Sequence, residues 1–451
     1  KMKVIFLDID GVLNSDAYKK KQLYNSSEGI ESEIDPATLI LLKKAVDTTG
    51  AKLVLSSSWR IMRKCNELEK FLMKFGISLS GKTPYVDGKR GLEIKQYLNE
   101  NENILVEVIG EDGLELANEI IKQAKIINAK PHLNIINYED LRNFLINATK
   151  EDIIEYGKKD YEIMKKMQAY IGISAPTSDK SLNGVSQEKL ELYNKYYTAL
   201  VHLEQRVKHT KWCILRYPNE YFAKKSNMTL NEFKDFYYNV CNVDYNKMKI
   251  AMEPLKELMN KTDKVHIVAP GTDLTFSING IPAEKYYGTF NIPDGEVATC
   301  PVKNSVNGYI TYNTKTKYND IIFEDIKFDF INGKIVKATA KENSKELNEI
   351  LDTDDGARYI GEFAFGLNPY VNNTMCDTLF DEKINGSFHL TPGMALEESD
   401  NGNRSAIHWD IVKILRKEFG GGEIYFDDIL IMKDGKFILE ELKELNAENL
   451  K

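Results

Sequence analysis

The chain is poor in histidine, lacks paired cysteine motifs and long apolar runs, and has no excess of basic charge. Its five cysteines (Cys65, Cys213, Cys241, Cys300, Cys376) are scattered, odd in number and never spaced as CxxC. That argues against a disulfide framework or a zinc ribbon and fits the reduced thiols of a cytoplasmic protein. No run reaches 18 apolar residues, so neither a membrane-spanning helix nor a membrane partner is expected. The first apolar segment is interrupted by Asp8 and Asp10, which does not read as a signal peptide. Lysine and arginine number 60 against 68 aspartates and glutamates, a net charge of −8. Nucleic-acid binding through a basic surface is therefore not expected. Only six residues are histidine, so where they fall is informative.

A length of 451 residues suggests two to four domains. The pattern predicts an α/β chain in three zones. Residues 1–99 form a Rossmann-like parallel-sheet segment, and residues 100–265 a second, helix-rich α/β domain. Residues 266–451 form an α+β domain rich in antiparallel strands. Helices are expected over 114–127, 139–147, 154–167, 188–209, 230–240 and 244–259. In the last zone, Asn279-Gly280, Asn307-Gly308, Asn332-Gly333 and Asp434-Gly435 read as hairpin turns. Helices there are expected over 344–351 and 406–419.

His389 and His408 lie close together in a stretch dense in Asp, Glu and Gly. Imidazole with carboxylate suits zinc, cobalt or manganese. His408 and Asp410 share one side if their segment is a strand; they diverge at the start of a helix, unless the loop entering it aims both inward. Upstream, Glu296 in Asn291-Ile292-Pro293-Asp294-Gly295-Glu296 and Glu362 in Gly361-Glu362-Phe363 sit among backbone-bending residues. Two glutamates, two histidines and an aspartate suit a pair of cations that share carboxylates and polarise a bridging water, roughly 3.5–4 Å apart. Asp354 and Arg358, near Glu362, read either as residues that orient these ligands or as a plain surface turn. Tyr286, Tyr287 and Phe290 read as strand packing, with the lining of a pocket as the alternative.

From about residue 104 to the end, the chain resembles the thermophilic-type metalloaminopeptidases. The matching phrases, in the family's order, include Gly271-Thr272-Asp273-Leu274, Ile292-Pro293-Asp294-Gly295-Glu296-Val297, Gly356-Ala357-Arg358-Tyr359-Ile360-Gly361-Glu362, Phe380-Asp381-Glu382-Lys383, Gly386-Ser387-Phe388-His389 and Asn403-Arg404-Ser405-Ala406-Ile407-His408-Trp409-Asp410. The resemblance implies that Glu296, Glu362, His389, His408 and Asp410 hold two divalent ions, with Glu296 or Glu362 also acting as base. It implies peptide substrates and a homodimer. The family carries an assisting tyrosine seven residues after its first metal-binding histidine; here that position is Leu396.

At the N-terminus, Val4-Ile5-Phe6-Leu7-Asp8-Ile9-Asp10-Gly11 reads as a buried parallel strand delivering two acids to its C-terminal edge. It resembles the haloacid dehalogenase superfamily. That resemblance implies Asp8 as nucleophile, Asp10 as acid/base, magnesium between them, and phosphate binding by Ser56 with Lys89 or Arg90. The acidic strand end that completes such a site is missing: Glu111 and Asp112 follow a strand better matched to the peptidase. The reading is a metal-dependent aminopeptidase carrying a truncated phosphatase-like segment. The alternatives are a phosphatase with a C-terminal scaffold, or a binding protein with both sites decayed.

Overall fold

The computed structural model describes residues 4–7, 13, 34–49, 51–56, 65–82, 103–178, 182–318 and 321–451. Strands β1 (Val4–Leu7), β2 (Lys52–Leu55) and β3 (Gly81–Lys82) form a small parallel sheet in that order. Helices Pro36–Thr49 and Cys65–Lys74 accompany it, and Leu39, Leu53, Leu55, Leu68 and Leu72 form its core.

The next layer is built from β4 (Asn103–Ile109), β5 (Lys130–Ile136), β6 (Ala169–Ser174) and β7 (Lys211–Arg216). All pair in parallel, with β4 between β5 and β6. β4 therefore belongs to this sheet and not to the N-terminal one, as its sequence context suggested. The helices match expectation closely at Leu114–Ile126, Tyr138–Asn147 and Leu230–Cys241. Two differ in form. The expected 188–209 helix is an α-helical turn, Gln187–Tyr193, that continues as π-helix over Asn194–Val207. The expected 244–259 helix divides into Tyr245–Ala251 and Glu253–Lys261, with Pro254 in the first turn of the second.

The remaining strands are β8 (Lys264–Ala269), β9 (Thr272–Ser277), β10 (Glu284–Tyr286), β11 (Asn291–Ile292), β12 (Glu296–Thr299) and β13 (Asn307–Thr311). Then come β14 (Thr316–Tyr318), β15 (Ile321–Phe323), β16 (Lys327–Ile331), β17 (Lys334–Thr339), β18 (Ile360–Gly366) and β19 (Ser387–Pro392). β20 (Val412–Ile414), β21 (Glu423–Phe426), β22 (Ile429–Lys433) and β23 (Lys436–Phe437) complete the set. β11 extends the parallel sheet beside β7. The others form an eight-stranded sheet, β17-β16-β13-β9-β8-β21-β22-β23, a five-stranded sheet, β10-β12-β18-β19-β20, and a β14–β15 ribbon.

Side-chain alternation decides what the five-stranded sheet does with its two faces. Val297, Phe363, Phe365, Phe388 and Leu390 point back and join Leu274, Phe276, Ile424 and Phe426 of the eight-stranded sheet in the main core. Phe276 and Phe363 meet edge to face at 5.0 Å. The other face is left for polar residues.

Three local expectations fail, the first at Asn279-Gly280, which turns the chain but joins no hairpin, since β9 before it and β10 after it lie in different sheets. Residues 406–419 are not a helix: His408 bridges Gly393 in extended backbone, Val412–Ile414 pairs with β19, and only Lys417–Phe419 forms a short 3-10 turn. Ile407, Trp409 and Ile411 are all buried, an alternation of period two that outweighs helix propensity. Asn307-Gly308 opens β13 and is not a turn. Gly308 has φ +108, and a Cβ there would meet the Asp273 carbonyl at 2.1 Å, so close strand approach explains this glycine. Asn332-Gly333 and Asp434-Gly435 do connect hairpins, with positive φ at both residues.

Candidate metal centre

The polar face of the five-stranded sheet carries Glu296 and Ala298 on β12, Glu362, Ala364 and Gly366 on β18, and His389 and Thr391 on β19. Their registers place Glu296 opposite Gly366, Ala298 opposite Ala364, Ala364 opposite His389, and Glu362 opposite Thr391. Small residues between the long ones leave room for the carboxylates and imidazoles to converge. Gly295, at φ +135, turns the chain into β12, and a Cβ there would press the Asn368 backbone at 3.1 Å. The fourth side of the centre comes from the segment after β19. There the His408 ring Nδ1 lies 2.9 Å from the Met394 carbonyl, and the Thr391 hydroxyl donates to Asp410 Oδ1 at 2.7 Å.

The five residues singled out by sequence come together. Glu362 lies between the two histidines, with Oε1 3.4 Å from His389 Nε2 and Oε2 3.1 Å from His408 Nε2. His389 Nε2 is also 3.6 Å from Glu296 Oε2, and His408 Nε2 is 3.3 Å from Asp410 Oδ1. Two groups result, Glu296–Glu362–His389 and Glu362–His408–Asp410, and within each the donor atoms lie within 4.8 Å of one another. Both contain Glu362.

Electrostatics at this face are severe. Burial pushes the Glu296 carboxyl up to about 7, against the pull of Lys383. Glu362 is held below the usual range: burial opposes ionisation, but hydrogen bonds from both histidines outweigh it. His389 is raised to about 9 despite burial, chiefly by Glu362, and His408 is raised well above its ordinary value by Asp410 and Glu362. Burial also opposes ionisation of Asp410, yet His408 holds its carboxyl low. Such a set of buried acids is one that a cation stabilises.

Sequence reasoning missed Lys383. It was quoted within a motif but given no role. Its side chain is fully buried, with Nζ 2.7 Å from Glu296 Oε1, 2.8 Å from Glu382 Oε1 and 3.3 Å from Asp294 Oδ1. Its neighbours Asp381, Glu382 and Asn385 are polar, so the local sequence reads as a solvated turn and gives no signal of burial. Tyr286 was read as strand packing, yet it pairs directly with Glu296 across β10 and β12, so it shares the polar face. Asp354 does act on the centre at one remove. It accepts from the Ser405 hydroxyl at 3.0 Å and the Ala406 amide at 2.6 Å, anchoring the approach to His408. Arg358 turns away, to Asp352 and Asn348. Leu396 is half-buried, and its amide donates to the carbonyl of Gly361, the neighbour of Glu362, at 3.4 Å.

Of the phosphatase-like residues, Ser56 is described. It is buried at the C-terminal end of β2, and its amide donates to the Leu7 carbonyl at 2.8 Å, at the end of β1. Asp8, Asp10, Lys89 and Arg90 lie outside the described residues. Asp112 is committed elsewhere, accepting from Asn219 at 3.0 Å.

A parallel α/β sheet joined to stacked antiparallel sheets, with carboxylates and imidazoles gathered on a rigid β face, defines a metal-dependent hydrolase. Comparison with known proteins narrows the class. Residues 92–437 match the family model "Thermophilic metalloprotease (M29)", and the chain belongs to that family as a metal-dependent aminopeptidase. Aminopeptidase PepS of Streptococcus thermophilus is 27% identical over 351 residues, covering 66% of this chain and 84% of that protein. Aminopeptidase 2 of Geobacillus stearothermophilus is 24% identical over 322 residues, covering 61% and 75%. The fold is also that of wild-type AmpT from Thermus thermophilus: TM-score 0.63 at 19% identity, over 76% of this chain and 98% of that one. Residues 4–112 match the model "HAD domain in Swiss Army Knife RNA repair proteins".

Proposed function

We propose that this centre holds two divalent cations, zinc, cobalt or manganese, and removes N-terminal residues from peptides. Glu296, Glu362 and His389 hold one cation, and Glu362, His408 and Asp410 hold the other. The observation that carries the reading is Glu362, which offers one oxygen toward each histidine and belongs to both ligand groups. The donor set fits the cations: hard carboxylates with borderline imidazoles, with Glu296, Glu362 and His389 buried and Glu296 Oε2 lacking a hydrogen-bond partner among the described residues. Bound cations supply Lewis acidity toward the scissile carbonyl and lower the pKa of a nucleophilic water.

The chain's own residues do the rest. Lys383 fixes Glu296 through one oxygen and leaves the other free to turn inward. The Met394 carbonyl accepts a hydrogen bond from the His408 Nδ1–H, so Nε2 presents its lone pair to the centre. The Thr391 hydroxyl orients Asp410 by donating to its Oδ1. Glu296 or Glu362 is the carboxylate that takes the water's proton. The protein acts in the cytoplasm as a homodimer, which light scattering at micromolar concentration tests. The decisive assay is hydrolysis of aminoacyl-p-nitroanilides by chelator-stripped protein, with each metal added back. No rate above background with any metal overturns the reading.

The N-terminal segment is proposed as a phosphatase-like unit without robust turnover. Its magnesium would sit at Asp8 and Asp10 and its phosphate at Ser56 and Arg90. The support for weak activity is that β4, which would carry the further acidic strand end, is paired into the peptidase sheet.

A further inference from the structure

A second site lies away from the metal centre, on the parallel sheet. The chain leaves β4 to form β5 on one side and returns to form β6 on the other, which makes the β4–β6 boundary a topological switch point. Open α/β sheets bind ligands at the C-terminal ends of strands at such points. A cavity of about 610 Å³ is lined there by Ile109 and Ser174, the last residues of β4 and β6. Its volume is in the range of small-molecule sites.

The π-helix Asn194–Val207 roofs the cavity, continuing the turn that carries Tyr193. Tyr193, Tyr197, His202 and Arg206 follow one another at spacings of four or five residues, so the wide winding brings them to one side. π-helical segments are rare and concentrate at functional sites. Tyr193 and Tyr197 stack at 4.7 Å. Gly172 of β6 keeps the floor open beside Tyr170.

Arg206 is the telling group. It is only 8% exposed, and its Nε and Nη1 have no hydrogen-bond partner among the described residues. The guanidinium lies 5.1 Å from the centre of the Tyr170 ring and 4.9 Å from that of Trp212. Ring faces stabilise its charge but take none of its in-plane N–H groups. Glu107 does not fill that need, since it is committed to the Tyr170 hydroxyl at 2.6 Å and to Asn134 at 3.0 Å. The other cations lining the cavity, Arg216 and Lys225, both face Asp377, at 3.2 and 4.0 Å. His202 Nδ1 is likewise without a partner. The Glu107 carboxyl acts on the guanidinium's charge but leaves Nε and Nη1 unbonded, so this edge within the aromatic cage asks for a planar acceptor.

We propose that this cavity binds a small organic carboxylate carried on an aromatic or branched apolar body, with Arg206 on the carboxylate and the Tyr193–Tyr197 pair against the body. With Glu107 in the same cavity and Arg216 and Lys225 facing Asp377, there is no surplus of positive charge for a dianion, which favours a carboxylate over a phosphate. None of the proposed metal ligands lines the cavity, so the inference stands apart from the peptidase site.

The test is calorimetry and thermal shift on the full chain with phenylacetate, phenyl phosphate and benzyl alcohol. Wild-type protein is compared with Arg206→Gln and with Thr198→Trp, which fills the cavity and keeps the guanidinium. Phenylacetate is expected to bind and raise the melting temperature. Benzyl alcohol is expected to bind at least about tenfold more weakly, and Arg206→Gln to lose at least about tenfold in phenylacetate affinity, the scale of a charge-assisted hydrogen bond. Thr198→Trp is expected to abolish binding while peptidase activity persists, and it decides the matter if Arg206→Gln fails to fold. Absence of phenylacetate binding at millimolar concentration, or affinity unchanged in the folded variants, overturns the proposal. Tighter binding of phenyl phosphate overturns the assignment to a carboxylate.

Discussion

Replacing Lys383 with Met tests how the metal centre is held together. Methionine nearly matches the lysine stem, so the packing change itself is small, about 1.5 kcal/mol or less. What disappears is an ammonium of zero exposure, 2.7 Å from Glu296 and 2.8 Å from Glu382, with Asp294 at 3.3 Å. Breaking a buried ion pair from one side costs roughly 3–5 kcal/mol, because the partner charge is left unneutralised. For a unit of this size each kcal/mol moves the melting temperature by about 2–4 °C, which gives a loss of roughly 6–20 °C. The melt belongs in chelator-stripped protein, so that bound metal does not mask the deficit.

The pH dependence has a definite sign. Burial already raises Glu296, to about 7, and Glu382 well above the glutamate range, and losing the ammonium raises both further. A carboxyl raised in the folded state contributes stability at low pH that is lost as pH rises through its folded pKa. The variant's deficit is therefore expected to be largest at pH 8–9 and to shrink toward pH 5. Glu382→Gln added to Lys383→Met is expected to recover part of the loss, a coupling that independent sites would not show. A melting temperature within about 2 °C of wild type at pH 8, a change that surface substitutions typically produce, would refute the reasoning.

Glu362→Gln is expected to lower kcat/KM by on the order of 10² or more and to reduce the metal bound per chain at both groups, whereas His408→Ala affects one; metal content after dialysis distinguishes them. Leu396→Tyr is expected to raise kcat about tenfold with little change in KM, because a phenol beside Gly361 and Glu362 acts mainly in the transition state; an unchanged kcat with intact metal content counts against it. Hydrolysis of p-nitrophenyl phosphate with magnesium is expected to stay near background; robust turnover abolished by Asp8→Asn would show that the N-terminal site is complete. In Asp381→Asn, the melting-temperature difference from wild type is expected to move in the variant's favour between pH 5 and pH 8. Burial raises this carboxyl to about 8, and wild-type stability is lost as pH rises through that value.

The α/β order, the helix at 344–351 and the five candidate ligands that the fold brings together were legible in the sequence. Each rests on local chemistry: periodicity, turn residues and a scarcity of histidine that makes two in one stretch conspicuous. The failed helix over 406–419 shows the limit. Its composition permits a helix, but pairing with β19 and burial of Ile407, Trp409 and Ile411 on alternate positions selected extended backbone. Asn307-Gly308 failed for a related reason: the same dipeptide serves a turn or a close strand crossing, and only the neighbour at Asp273 decides which.

What the sequence determined by itself is which atoms are available: carboxylates and imidazoles at 296, 362, 389, 408 and 410, and the absence of a phenol at 396. What only the tertiary structure decided is their geometry. Strand register across β12, β18 and β19 sets Glu362 between two histidines, and it brings Lys383 and Tyr286 to partners distant in sequence. The same holds for the aromatic cavity, where the neighbours of Arg206 come from β6, β7 and a π-helix. Long-range pairing is fixed by packing over the whole core, and no local pattern carries that information.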